Sequence, residues 1–494
     1  MAVGTRQDQN GSCGKFIPIR YLMAVMGSIG LAIIYGFKVN ISIAIVAMVN
    51  HTALKENSEN YNATNEIKLD NSTANASEDG PFVWDKSVQG QILSAYFIGY
   101  LISMIPGARM AELVSAKWVM NVAVLLNVVA SVLSPVSAHG HYLLLALMRV
   151  IQGIGGGVSF PAMHVMVTKW GPPSERNVLA SIIYAGTAIG TLIAILLSGL
   201  LAANLGWVWV FYIEGALCLI WCTAWWLMIE DSPEQQKRFI TEGEKDYILN
   251  SMGESGDNHS HKLPVPWGQI FKSPAFLAIF IAHFCSNFGW YMLLVELPSF
   301  MNQVLGFKLE SNATLSALPY LCMWIFTMLL SKVLSLIVEK KWITVTLSRK
   351  IGTFFSSVIP MICLLVVALF GQNRTLAVVF MTIGVTCMGG MYSGFLANHI
   401  DIAPNFAGTL VALTNCFATI PGIIVPLIVG YITESDTPVK GWNIIFFVTA
   451  GILMVEIIVY WIFGSGDEQS WNKVKGNDEE PHEQDMPLKQ NCES

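Results

Sequence analysis

The chain alternates long apolar segments with short polar connections, and this pattern constrains its fold more than any other feature. A helix needs about 20 mainly apolar residues to cross a bilayer. Because 53% of the 494 residues are hydrophobic and only 13% are charged, the chain is too apolar for a soluble globule. We predict an all-α, multi-pass membrane protein with twelve spans at residues 21–49, 87–108, 118–137, 142–168, 178–204, 207–229, 274–303, 312–338, 343–371, 375–398, 403–431 and 442–463.

Polar segments divide the predicted spans into two groups. Residues 230–273 separate six spans from six, so we predict one six-helix bundle over 21–229 and a second over 274–464. Two bundles around a central site form a common layout of secondary transporters, in which one bundle rocks against the other. The remaining polar segments are an N-terminal tail at 1–20, a loop at 50–86 and an acidic tail at 465–494.

The distribution of positive charge predicts the orientation in the membrane. With both termini on one side, that side carries 20 Lys and Arg residues and the opposite side carries 6. Because these residues accumulate on the cytoplasmic side, we predict that both termini and the 230–273 linker are cytoplasmic. Asn62, Asn71 and Asn75 lie in glycosylation sequons of the loop on the other side, so we also predict a glycoprotein with a lumenal or extracellular loop.

Two basic residues lie inside predicted spans, Lys38 in the first and Arg149 in the fourth. A charged side chain in hydrocarbon is costly, and it usually faces a water-filled cavity or a counter-ion. Helix geometry places Lys38 about 16 Å and Arg149 about 10 Å from the same side of the membrane. Because neither span contains an acidic residue, we predict that the two cations form an anion site. A snorkelling Lys38 and a purely structural Arg149 remain the alternatives.

Three acidic residues also lie in spans, and each is a candidate to bind a coupling ion, which the sequence leaves open between Na⁺ and H⁺. They are Glu214, Glu296 and Glu456. Each can instead balance a cation or face a lateral crevice, so the sequence does not choose among them.

The second half contains further polar candidates. His283 is either a hydrogen-bonded core residue or a cavity residue, and Asn415 is either a cavity residue or an interhelical hydrogen-bond partner. In the run NHIDIAP, we expect Asp401 to cap the eleventh helix and Pro404 to lie just inside it.

The fourth span carries a run of glycines followed by a proline. Gly153, Gly155 and Gly157 remove side chains where another helix can approach closely, and Pro161 follows one turn later. We therefore predict a closely packed helix that lines the transport path and takes part in gating.

The chain resembles the anion–cation symporter family of the major facilitator superfamily, which contains sialin, sodium–phosphate cotransporters and vesicular glutamate transporters. The similarity extends over most of residues 21–464, and sialin and invertebrate proteins named for phosphate cotransport are nearest. Its motifs include FKVNISIAIVAMV, RVIQGIGGGVSFPAMH, KWGPPSERN, NHIDIAPNFAG and TNCFATIPG. The resemblance implies a twelve-helix alternating-access carrier for a small anion, with helices 1, 4, 7 and 10 lining the cavity.

Individual positions refine what the resemblance implies. Arg149 matches the family's arginine in helix 4, and Lys38 replaces an arginine in helix 1, which keeps the charge but loses the bidentate fork. Proton-coupled members have a glutamate where Gly156 stands, and sialin has another where Gln152 stands. Because this chain lacks both glutamates, the resemblance favours sodium- or potential-driven transport. Ser286 stands where glutamate carriers have an arginine, and we include it among the substrate-site positions.

The expected function is secondary active transport of phosphate or an organic carboxylate, with sodium as the favoured coupling ion. The alternatives are a proton-coupled exporter of acidic sugars, a potential-driven uniporter or channel, and a receptor that transports nothing. We expect no enzymatic activity, no cofactor or resident metal and no nucleic-acid partner. The expected contacts are a small anion and membrane lipid, with a monomer as the functional unit. The N-terminal tail lacks the acidic dileucine sorting signal of sialin, which favours the plasma membrane over a lysosomal or vesicular membrane.

Overall fold

A computed structural model describes residues 18–50, 52–54, 79–172, 175–256, 265–307, 309–370, 373–435 and 438–472. Within these ranges all long regular elements are helices, which confirms the all-α prediction. The predicted glycosylation sites Asn62, Asn71 and Asn75 lie outside the described residues. The spanning helices are α1 Ile19–Met48, α2 Lys86–Met110, α3 Ala116–Gly140, α4 Tyr142–Trp170, α5 Arg176–Asn204, α6 Trp207–Met228, α7 Pro274–Gln303, α8 Leu309–Glu339, α9 Val345–Phe370, α10 Arg374–Ile402, α11 Pro404–Glu434 and α12 Pro438–Phe463.

Eleven helical stretches in the described part of the chain are long and apolar enough to cross a membrane. One of them, Lys86–Gly140, has 55 residues and joins α2 to α3 through a π-helical turn at Ala111–Ser115. At 1.5 Å per residue a straight helix of this length would measure about 80 Å, against about 30 Å for the bilayer core. Ser115 has an extended backbone and its side chain caps α3, so the chain turns there and makes two crossings.

The apolar core is continuous at one end of the molecule and divided at the other. On the side that carries the 50–86 loop, here the loop side, one cluster contains residues from both halves, among them Val46, Phe97, Phe300 and Val429. On the side of the chain ends, here the terminal side, the two halves have separate clusters around Trp170 and around Phe395 and Tyr460. The two halves are therefore packed together on the loop side and apart on the terminal side.

The segment predicted to be a polar linker contains a helix, Glu242–Gly256, that packs on the first half. Arg20 bonds Glu175 at 2.8 Å and Glu244 of this helix at 3.0 Å. The Arg20 guanidinium lowers the pKa of the Glu175 carboxyl group, and the Tyr21 and Tyr247 hydroxyls add to this effect. The linker is thus attached to the start of α1 rather than suspended between the halves.

Glycines in α4 allow it to pack against α2 and α3 at once. A Cβ atom on Gly153 or Gly157 would overlap backbone carbonyls of α2, and one on Gly155 would overlap the carbonyl of Ala123 in α3. Pro161 lies inside α4, which nevertheless continues to Trp170. The close approach explains why glycines cluster here.

Substituting Gly153 by alanine should destabilise the first half. The added methyl group would collide with the Tyr96 carbonyl oxygen, which belongs to helix backbone and cannot move independently. We expect a loss of about 1–3 kcal/mol, the usual range for overpacking, measured as a lower melting temperature of the purified protein. Gly451, where an added Cβ would meet nothing within 4 Å, provides the matched control. Equal melting temperatures for the two alanine variants would contradict the packing explanation.

Candidate functional site

Arg149 holds α4 to α1 near the middle of the protein. Its side chain is 1% exposed. Nη1 donates to the carbonyl of Phe37 at 2.8 Å and to Oε1 of Gln152 at 2.6 Å, and Nη2 donates to the carbonyl of Lys38 at 3.2 Å. The guanidinium also lies 5.0 Å from the ring centre of Tyr96. Much of its hydrogen-bonding capacity is therefore used within the protein, although Nε has no partner.

Lys38 lies beside Arg149, but its ammonium group is surrounded by aromatic rings. Nζ is 4.8 Å from the ring centre of Tyr291, 5.0 Å from Tyr35, 5.1 Å from Phe97 and 5.6 Å from Tyr100. These rings come from α1, α2 and α7, so both halves of the protein contribute. A cation over a ring face is stabilised by about 0.5–2 kcal/mol, which offsets only part of the loss of water. We call Lys38 and these four rings the aromatic cage.

Neither cation has a carboxylate within ion-pair distance among the described residues. Lys38 and Arg149 are 5% and 1% exposed, so two positive charges share one buried region without compensation. Leaving such charges unpaired is unfavourable by several kcal/mol each. An anion entering this region would remove part of that penalty, and the arrangement is suited to binding a negatively charged solute.

The second half contributes polar groups from α7, α10 and α11. His283 Nδ1 is 3.0 Å from Thr414 Oγ1, and His399 Nε2 is 2.9 Å from the same oxygen. This chain of hydrogen bonds places His283 in the core of the second half. Asn415 interacts with the Tyr100 hydroxyl across the two halves, and it therefore adjoins the aromatic cage. Ser286 is fully buried, and its hydroxyl has no hydrogen-bond partner.

The three buried glutamates have different surroundings. Glu214 accepts hydrogen bonds from Asn40 and Ser198, both at 2.8 Å, at an apolar groove of about 160 Å³ between α1, α5 and α6. Glu296 lies on the loop side and interacts electrostatically with Lys86 across the two halves, although the pair is not in contact. Glu456 has no hydrogen bond to either oxygen. The sequence does not rank these three glutamates as coupling residues, whereas their hydrogen bonds and nearby charges differ from one to the next.

Asp401 does not cap α11 as expected. It lies in the final helical segment of α10, Phe395–Ile402, and its carboxylate binds Arg349 of α9 at 2.6 and 3.1 Å. Pro404 does open the next helical turn, as predicted. The motif read as a helix start is therefore largely an ion pair between α9 and α10, and its partner lies 52 residues away in the sequence.

Sequence reasoning missed the rings of the aromatic cage. Tyr35 precedes Lys38 by three residues and so shares its helix face, a signal that was available. Phe97 and Tyr100 lie on α2 and Tyr291 on α7, and only the packing of three helices brings them to one ammonium group. Tyr392 interacts electrostatically with Tyr35 and Tyr291, so it lies in the neighbourhood of the cage.

The paired helical halves and the buried charges at their junction define a membrane transporter. The sequence pattern of the Major Facilitator Superfamily matches residues 22–426, and the chain belongs to that family. Within it, the chain is 38% identical to a Drosophila melanogaster protein named "Putative inorganic phosphate cotransporter", over 94% of this chain and 88% of that one. It is 36% identical to sialin from Homo sapiens, over 92% of this chain and 90% of sialin.

Solved structures support the same fold. A D-xylose–proton symporter superposes with a TM-score of 0.65 at 14% sequence identity, covering 91% of this chain and 99% of the symporter. The protein is therefore an integral multi-pass membrane transporter and not an enzyme. The alternative of a receptor that transports nothing loses its support, because the chain belongs to the Major Facilitator Superfamily over residues 22–426.

Proposed function

We propose that the protein moves a small carboxylate or phosphate anion across the membrane by alternating access, together with a coupling cation, in the plasma membrane. The observation that carries this proposal is the buried Lys38 ammonium group, which contacts rings from both halves and has no carboxylate partner among the described residues. An anion bound there would contact both halves, so its binding can favour one arrangement of the halves over another.

The cage favours an organic monocarboxylate over phosphate. Phosphate is usually bound by several donors or by the fork of a free arginine. Here the Arg149 fork is directed to carbonyls of α1, and Lys38 supplies a single point charge. Rings around that charge offer apolar surface to the body of an organic anion. The phosphate relative named above keeps phosphate as the second candidate.

Transport in reconstituted vesicles tests the proposal. The full-length protein would be placed in liposomes and supplied with labelled phosphate, sialic acid, glutamate or urate under an imposed sodium gradient, pH gradient or membrane potential. We expect saturable uptake of a carboxylate that depends on one cation gradient. Uptake that follows membrane potential alone would favour a uniporter, and binding of these anions without flux would contradict the proposal.

A further inference from the structure

Glu456 is the buried acidic residue whose charge the structure leaves uncompensated. It lies in α12, and its side chain is 0% exposed. Neither carboxyl oxygen has a hydrogen-bond partner, and none of the ion pairs among the described residues includes it. A carboxylate in this position would lack water, donors and a counter-charge at once.

The neighbours of Glu456 do not supply a proton. Ser357 of α9 lies beside the carboxyl group, but its Oγ donates its single hydrogen to the carbonyl of Thr353 at 2.8 Å. While that bond is kept, the Ser357 oxygen presents a lone pair to Glu456; only a hydroxyl turned away from Thr353 could donate to the carboxylate. On α7, the Cys285 thiol interacts electrostatically with Glu456. Two facing acceptors in a dry environment require a hydrogen or a cation between them.

The other two buried glutamates lack this property. Glu214 receives hydrogen bonds from Asn40 and Ser198, and Glu296 interacts with the Lys86 ammonium group. Glu214 can therefore carry a negative charge more easily than Glu456, and Glu296 has a cation in its surroundings that Glu456 lacks. An alkali cation would also need several oxygen ligands, whereas the two side chains that interact with Glu456 in the described part of the chain supply one hydroxyl oxygen and a sulfur.

We propose that Glu456 is a proton-binding site that couples proton movement to anion transport. In the arrangement with the loop side closed, an O–H bond on one carboxyl oxygen lets Glu456 donate to Ser357. The proton binds when water from one compartment reaches α12, moves with the carboxyl group as the halves rearrange, and is released when water from the other compartment reaches α12; the carboxylate binds its next proton only after it again faces the first compartment. This inference rests on the proposed anion transport and replaces sodium with H⁺ as the coupling ion.

The first test measures the protonation state directly and needs no substrate. Infrared difference spectra of the purified, full-length protein, recorded during a pH titration, should contain a buried protonated carboxyl band at neutral pH. The band should disappear in Glu456→Gln and remain in Glu296→Gln, which is the matched change at another buried glutamate. A band that is unchanged in Glu456→Gln would overturn the proposal.

The second test separates coupling from transport. In liposomes, Glu456→Gln should still exchange labelled for unlabelled anion from the panel of phosphate, sialic acid, glutamate and urate, because exchange moves no net proton. Accumulation driven by a pH gradient should fall to the level seen without a gradient, whereas Glu296→Gln should keep its dependence on the gradient. Accumulation by Glu456→Gln at the wild-type level, or wild-type accumulation driven by sodium alone, would overturn proton coupling. Absence of exchange in the wild type would instead contradict the proposed function.

Discussion

Replacing Lys38 by glutamine should strongly reduce anion uptake at low anion concentration while leaving the protein folded. The substitution removes the ammonium group from the aromatic cage, and the loss of a close, desolvated charge pair is worth about 2–5 kcal/mol in binding. Since every 1.4 kcal/mol is tenfold in affinity, we expect uptake at low anion concentration to fall by about 30-fold or more. The measurement is concentration-dependent uptake, normalised to the amount of protein in the membrane.

Two further variants test whether the loss of uptake is caused by the missing charge at position 38. Lys38→Arg restores the charge and should recover part of the uptake, limited by the larger guanidinium within four rings. Lys117→Gln changes another buried lysine, one that binds Glu230 at 2.8 Å far from the cage, and it should keep uptake. Wild-type affinity in Lys38→Gln would show that the anion binds elsewhere.

Arg149 should tolerate neither alanine nor lysine. Its two Nη atoms reach the carbonyls of Phe37 and Lys38 together with Gln152, a geometry that a single ammonium group cannot reproduce. Removing a buried charged hydrogen-bond donor usually destabilises its partners by about 1–3 kcal/mol or more. We expect Arg149→Lys to lose at least about 90% of uptake, since about 1.4 kcal/mol suffices for a tenfold change.

The pattern of rescue distinguishes the two cations. If Lys38 contacts the anion and Arg149 holds α1 against α4, charge alone should partly restore function at position 38 but not at position 149. Thermal melting of purified Arg149→Lys, with Gln152→Ala as a milder change to the same cluster, would report the structural component. Uptake by Arg149→Lys equal to that of the wild type would show that the fork is unimportant.

The sequence was sufficient to predict the class of fold and the location of the charges. Apolar segments of bilayer length identify helices because every backbone polar group must be paired within lipid. Intramembrane cations such as Lys38 and Arg149 stand out for the same energetic reason. The linker helix Glu242–Gly256 was missed because its stability comes from contacts with the first half, including Glu244 with Arg20.

Contacts between distant residues set the limit of the sequence analysis. Asp401 was read as a helix cap because its local sequence fits that role, whereas its carboxylate is bound by Arg349 on another helix. The three intramembrane glutamates look alike in the sequence and differ only in the donors that neighbouring helices supply. The number and direction of hydrogen bonds at Glu456 depend on where Ser357 directs its single hydrogen, which no sequence pattern encodes.

The undivided apolar core on the loop side limits the leakage of ions through the protein. Opening that end would expose packed side chains of both halves, and this loss can be offset only if the separate clusters around Trp170 and Phe395 come together at the opposite end. A continuous water channel would leave both surfaces uncovered at the same time. The burial of apolar surface that keeps one end closed therefore also opposes leakage of the coupling ion down its gradient.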